Sequence, residues 1–172
     1  MNLVLIGYRG TGKSAVAAIL SQRLEMPVVS LDEEIVREAG MSIPEIVEKN
    51  GWTWFRDLES EIARRFAERD DLILDTGGGV ILRPENTKNL RASGTVFWLE
   101  ASVGTIVDRI HESSDRPALT QGKSFLEEVE EVLSERLPLY RAAADYEIDT
   151  DPLTPTAVAE AIIREFRNSA TG

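Results

Sequence analysis

Eight consecutive residues, Gly7-Tyr8-Arg9-Gly10-Thr11-Gly12-Lys13-Ser14, follow the order G-x-x-x-x-G-K-[ST]. These residue types suit one task, the holding of a polyphosphate. Glycines let successive backbone N–H groups turn inward toward phosphate oxygens, so the loop becomes an anion nest. Lys13 has the length to reach the β and γ phosphates, and the Ser14 hydroxyl is a ligand suited to Mg²⁺. The candidate nucleotide contacts here are Gly10, Thr11, Gly12, Lys13, Ser14 and Ala15. Taken alone, the octapeptide also fits an ordinary strand-to-helix turn with an exposed lysine.

The flanking sequence favours the first reading. Leu3 to Ile6 form an apolar run of strand length, and the stretch from Lys13 to Leu24 is amphipathic with helical period. The same alternation continues along the chain. Short apolar runs at 2–6, 27–30, 72–75, 95–99 and 146–149 predict five strands. Between and after them, helical patterns cover 13–24, 32–39, 43–50, 52–68, 84–90, 103–112, 124–140 and 154–166. Repeated βα units of this kind predict a mainly parallel sheet with helices on both faces. Ser42 with Glu45 three residues later reads as a capping box, Ser102 as a further cap, and Pro84 as a first-turn proline. The polar stretch 112–123 is the candidate lid, since a loop beside a phosphate site commonly closes over it. The last residues, 168–172, are expected to fray.

Composition bounds the chemistry. With 172 residues the chain suits one domain, residues 1–172, with a core that needs no cross-links. The absence of cysteine excludes disulfides and thiolate catalysis, and a lone histidine, His111, excludes a multi-histidine metal site. A net charge of −11 disfavours a polynucleotide partner and requires any anion site to concentrate its arginines locally. No basic leader with an apolar stretch precedes the first strand, and no apolar run approaches membrane-spanning length. A cytoplasmic monomer acting on small molecules, with no nucleic-acid or membrane partner, is the expectation.

A second series of motifs narrows the reading. In order these are Leu31-Asp32, Ser42-Ile43-Pro44-Glu45-Ile46, Gly51-Trp52-Thr53-Trp54-Phe55-Arg56-Asp57-Leu58-Glu59, Gly77-Gly78-Gly79-Val80, Arg116-Pro117-Ala118-Leu119 and Arg136-Leu137-Pro138-Leu139-Tyr140-Arg141. Over nearly its whole length the chain resembles shikimate kinase. The resemblance implies a three-layer α/β/α P-loop kinase of the nucleoside-monophosphate-kinase type, with a five-stranded parallel sheet, a substrate-binding region at about 32–60 and the lid at about 112–123. It implies ATP-dependent phosphorylation of the 3-hydroxyl of shikimate, on the route to aromatic amino acids, with Mg²⁺ as cofactor.

The same resemblance assigns roles. Arg56 and Arg136 match the arginines that hold the substrate carboxylate, a task for a planar guanidinium with paired donors. Asp32 matches the carboxylate that binds the ring hydroxyls and takes the attacking proton. Gly78 matches a backbone N–H donor to the substrate, and the triple glycine is read as letting a ring-shaped substrate lie against backbone. Arg116 matches the lid arginine that reaches the phosphates, which makes Lys13, Asp32 and Arg116 the candidate catalytic residues. Arg109 matches a residue that stacks on adenine. Each has a plainer alternative: an ion pair with Glu59 for Arg56, a solvated charge for Arg136, a helix N-cap for Asp32.

Two departures from the family pattern stand out. Relatives usually carry Asp-x-Asp after the second strand, the first aspartate contacting Mg²⁺ through water; Ser30 and Asp32 occupy those places here. Asp75, ending the apolar run 72–75, is the candidate replacement. After the last strand, Asp149-Thr150-Asp151-Pro152-Leu153 offers no basic residue to a nucleobase, which predicts backbone-based adenine contacts and relaxed base preference. Two rival readings remain at this point: a kinase of another small hydroxy-acid such as gluconate, and a non-catalytic nucleotide-binding regulatory module.

Overall fold

The computed structural model describes residues 1–110 and 124–172. The candidate lid 112–123, with Arg116, and also His111 lie outside the described residues. Five strands, β1 (Asn2–Ile6), β2 (Val28–Ser30), β3 (Ile73–Asp75), β4 (Gly94–Glu100) and β5 (Tyr146–Asp149), pair in parallel in the order β2-β3-β1-β4-β5. Seven helices are described: α1 (Lys13–Leu24), α2 (Leu31–Ala39), α3 (Ile43–Ala67), α4 (Pro84–Ser93), α5 (Val103–Ile110), α6 (Phe125–Ala143) and α7 (Pro155–Ala170). A single 3₁₀ turn, Val80–Leu82, follows the triple glycine.

Side-chain alternation along β1 shows how the sheet divides the core. Leu3 and Leu5 point into a cluster closed by Val16, Leu20, Ile162 and Phe166 of α1 and α7. Val4 and Ile6 point the other way, into a larger cluster that includes Ile35, Phe55, Ile62, Leu90, Ile106 and Tyr140. A strand buried on both faces reads as an unbroken apolar run, which is why β1 carries no polar alternation. Burying each large apolar side chain of these clusters contributes about 1.5–3 kcal/mol.

Boundaries predicted from the sequence agree with the helices and strands to within a few residues. Ser42 caps α3 by accepting from Glu45 N–H at 3.3 Å, and its hydroxyl donates to Glu45 Oε1 at 3.1 Å. Ser102 caps α5 through Thr105 N–H. The two helical patterns at 43–50 and 52–68 meet at Gly51, whose φ of 85° and ψ of 168° break the helical path inside α3. Only glycine adopts that conformation without strain, so the turn is written into the sequence. The carboxyl end departs from expectation: α7 continues to Ala170, and Thr171 closes it by donating to the Asn168 carbonyl at 2.9 Å. Among the described residues no helix is long and apolar enough to cross a membrane.

The strand order sets the site. The chain leaves β1 toward β3 and β2 on one side and β4 and β5 on the other, so a crevice opens beyond the carboxyl end of β1. Ligands of open parallel sheets bind at such a reversal. The glycine-lysine loop lies there.

Candidate active site

Beyond β1 the loop from Gly7 to Gly12 turns into α1, with Gly12 as its N-cap at φ 90°. A left-handed cap without a capping side chain leaves the first N–H groups of α1 facing the crevice, where the helix dipole also favours an anion. They border a cavity of about 340 Å³ whose lining includes Gly10, Gly12, Lys13, Ser14 and Ala15. Thr11 does not line it. Its hydroxyl donates to the Tyr8 carbonyl at 2.9 Å, so this residue shapes the loop from inside.

Lys13 is nearly buried and folds back on its own loop, donating from Nζ to the carbonyls of Gly7 at 2.7 Å and Tyr8 at 3.0 Å. Those bonds pre-place a positive charge at the cavity wall. Beside it, Ser14 Oγ donates to Asp75 Oδ2 at 2.7 Å. Asp75 ends β3 and is 7% exposed, and burial lifts its carboxyl above the usual aspartate range, with the Lys13 charge and the Ser14 bond drawing it back. Ser30 is its register partner on β2 and spends its own hydroxyl as the N-cap of α2, accepting from Glu33 N–H.

That cap also settles the plainer reading of Asp32. Ser30 caps α2, and Asp32 stands in the first helical turn with a place on the cavity wall. It lies near enough to Asp75 for its charge to raise the Asp75 carboxyl further.

On the far side of the crevice, the triple glycine carries two arginines. Arg56 pairs with Glu59 Oε1 at 2.8 Å, and its guanidinium lies against the rings of Trp52 and Phe55. Glu59 is 1% exposed and Arg56 11%, so the pair is part-buried. A Cβ on Gly79 would come within 2.3 Å of the Arg56 guanidinium. The absence of a side chain at Gly79 thus makes room for an arginine, which packs on the backbone there.

Arg136 is also buried, which removes the solvated-charge alternative. Its guanidinium faces the Tyr8 ring at 5.8 Å, and a Cβ on Gly78 would sit 3.5 Å from its Nη1. Arg9, absent from the sequence-based candidates, lines the same cavity beneath Phe125, and its Nε is buried without a hydrogen-bond partner among the described residues. Its one sequence signal is its place between the glycines of the loop. Arg109, at the end of α5, donates to the Gly10 carbonyl at 3.1 Å and lines the cavity, so it is tied to the loop.

A family model described as shikimate kinase matches residues 9–167 of the chain. The chain belongs to the shikimate kinase family. A curated shikimate kinase of Thermodesulfovibrio yellowstonii is 42% identical over 99% of this chain and 98% of its own length. Among solved structures, a shikimate kinase from Acinetobacter baumannii in complex with shikimate superposes with a TM-score of 0.92 at 32% identity, covering 98% of this chain and 93% of that one. One from Aquifex aeolicus gives 0.83 at 30% identity, covering 100% and 99%. The shikimate kinase fold is therefore shared over nearly the whole chain, and the phosphate loop, Asp32 and Gly78 border one cavity.

Proposed function

We propose that this chain is a shikimate kinase, transferring the γ-phosphoryl of ATP to the 3-hydroxyl of shikimate and releasing ADP. The observation that carries the reading is a phosphate loop bordering the same cavity as a glycine turn, against which the buried Arg136 and the part-buried Arg56 are packed. A phosphate loop alone serves any nucleotide. Two guanidiniums packed against the backbone of that turn suit a compact acceptor bearing a carboxylate. Family membership weighs against the gluconate-type rival and the regulatory-module rival alike.

In this reading the N–H groups of Gly10, Gly12, Lys13, Ser14 and Ala15 receive the phosphates, with Lys13 Nζ moving from the loop carbonyls to the β and γ oxygens. Arg56 and Arg136 hold the shikimate carboxylate, Gly78 N–H the ring, and Arg9 adds a third guanidinium from the loop. Asp32 orients the 3-hydroxyl and accepts its proton as that oxygen bonds to phosphorus and the bond to the ADP oxygen breaks. Arg109 stacks on the base. Arg116, outside the described residues, has its lid role from the resemblance alone.

The donor set near Ser14 fits Mg²⁺. A hydroxyl with a buried carboxylate 2.7 Å behind it offers hard oxygen chemistry for an ion that keeps most of its waters. When bound, the ion neutralises charge on the phosphate oxygens. Ser14 would hold it directly and Asp75 through water, taking the place that Ser30 leaves without a charge. The enzyme acts as a cytoplasmic monomer on small molecules.

A coupled ADP-release assay with shikimate, gluconate and other hydroxy-acids tests the proposal. ADP formation with shikimate alone is expected. Equal turnover with gluconate, or nucleotide binding with no acceptor-dependent ADP, would overturn it.

A further inference from the structure

The three carbonyls of the triple glycine are held in two different ways. Gly77 and Gly79 accept from the N–H groups of Val80 and Leu82, within the 3₁₀ turn itself. The middle carbonyl, that of Gly78, accepts instead from a side chain 62 residues away: Tyr140 Oη donates to it at 2.5 Å. Consecutive glycines define their peptide planes poorly, so this bond is what sets the Gly78–Gly79 plane and the ψ of Gly78.

Tyr140 is placed to do this rigidly. It is fully buried, and its ring stacks on Trp98 with centroids 5.6 Å apart. Arg136 precedes it by one helical turn on α6, and its guanidinium lies beside the phenol oxygen, with Arg56 also near enough to act on it. Burial nonetheless pushes the phenol up to about 12, so it remains a neutral donor throughout the working range of the enzyme. One hydroxyl therefore bonds to the glycine turn and lies beside the arginine that flanks it, and the Tyr8 ring faces that arginine at 5.8 Å.

We propose that Tyr140 is a positioning residue for acceptor binding: its hydroxyl holds the Gly78–Gly79 peptide and the Arg136 guanidinium in one frame, so that both meet the acceptor carboxylate and ring together. The proposal rests on the reading of Arg136 and Gly78 as shikimate contacts. It requires no contact between Tyr140 and substrate. Removing the hydroxyl orphans a buried carbonyl and takes away the oxygen beside the arginine, while the ring and its stacking stay.

The test is Tyr140→Phe, assayed beside the wild type for shikimate and ATP separately. The shikimate KM is expected to rise about tenfold, with the ATP KM within twofold. With an analogue in which the carboxylate is replaced by hydrogen, the difference between wild type and variant is expected to be smaller than with shikimate, because only the Gly78 contact to the ring is left for the frame to serve. A purely structural role would raise both KM values together and would penalise both acceptors equally. Either result overturns the proposal, as does an unchanged shikimate KM. Should Tyr140→Phe lack a cooperative melt, 4-fluorophenylalanine placed at 140 fills the hydroxyl's space with a group that cannot donate to Gly78; a raised shikimate KM with unchanged ATP KM supports the proposal, and equality with the wild type overturns it. Failure of the wild type to phosphorylate shikimate would strike the functional reading and is seen before any variant is made.

Discussion

Ser14 at the start of α1 and Asp75 at the end of β3, 61 residues apart, share a 2.7 Å hydrogen bond across the floor of the phosphate site. The carboxylate reaches the serine from β3, and the neighbouring position on β2 is filled by Ser30, whose hydroxyl caps a helix. A buried carboxylate held by one hydroxyl and faced by a lysine is poised for a cation, and its burden when no cation is present can be measured.

Asp75→Asn keeps the hydrogen-bond partner for Ser14 and removes the charge. Mn²⁺ binding to the enzyme–ADP complex, followed by electron paramagnetic resonance, is expected to weaken about tenfold or more. Because burial raises the folded-state value of Asp75, its contribution to stability is fully present below the unfolded value and is lost as pH rises through the folded one. The variant without cation should therefore gain on the wild type in melting temperature between acid and neutral pH. Cation affinity of the wild type should fall as pH drops through that same raised value, and a wild type and variant with identical pH profiles would contradict the assignment.

Gly79→Ala places a methyl within 2.3 Å of the Arg56 guanidinium. Arg56 is held by the buried Glu59 and two aromatic rings, so it cannot yield without breaking that pair. The shikimate KM is expected to rise by about tenfold to a hundredfold while the ATP KM stays within about threefold. Steady-state kinetics with each substrate varied in turn decides it.

Lys13→Met removes the positive charge that the Gly7 and Tyr8 carbonyls hold at the cavity wall. Turnover is expected to fall at least about a hundredfold, the size of effect seen when a donor to a developing charge is lost. A variant that melts cooperatively and still turns over within tenfold of the wild type would remove Lys13 from the mechanism.

At the base end of the site, Asp151 accepts from Ser102 N–H at 3.0 Å and Asp149 accepts from Asp151 N–H at 3.1 Å. These carboxylates brace the start of α5 and the turn after β5. With no basic residue in the stretch 149–153 and Arg109 as the stacking partner of the base, GTP is expected to support turnover within about tenfold of ATP, since base stacking is tolerant of base identity. Strict exclusion of GTP in the ADP or GDP release assay would show that adenine is read by other groups.

Local signals carried much of this molecule. The phosphate loop, the βα alternation, the Ser42 and Ser102 caps and the break at Gly51 each depend on residues within a few positions of one another, where backbone geometry ties type to conformation. The Arg56–Glu59 pair was legible for the same reason, three residues apart on one helix. Proximity between distant segments has no such local code. Nothing in the run 72–75 states that β3 lies between β1 and β2, yet that strand order is what brings Asp75 to Ser14. The glycine turn is a further case: its three residues carry no local sign that Gly79 leaves space for Arg56 or that the Gly78 carbonyl accepts from Tyr140, and only packing against α3 and α6 shows both. The chain thus spelled out the phosphate chemistry in one contiguous stretch, while the tertiary structure assembled the acceptor side, because guanidiniums, glycines and the phenol that frames them come from separate elements and meet only when the core closes.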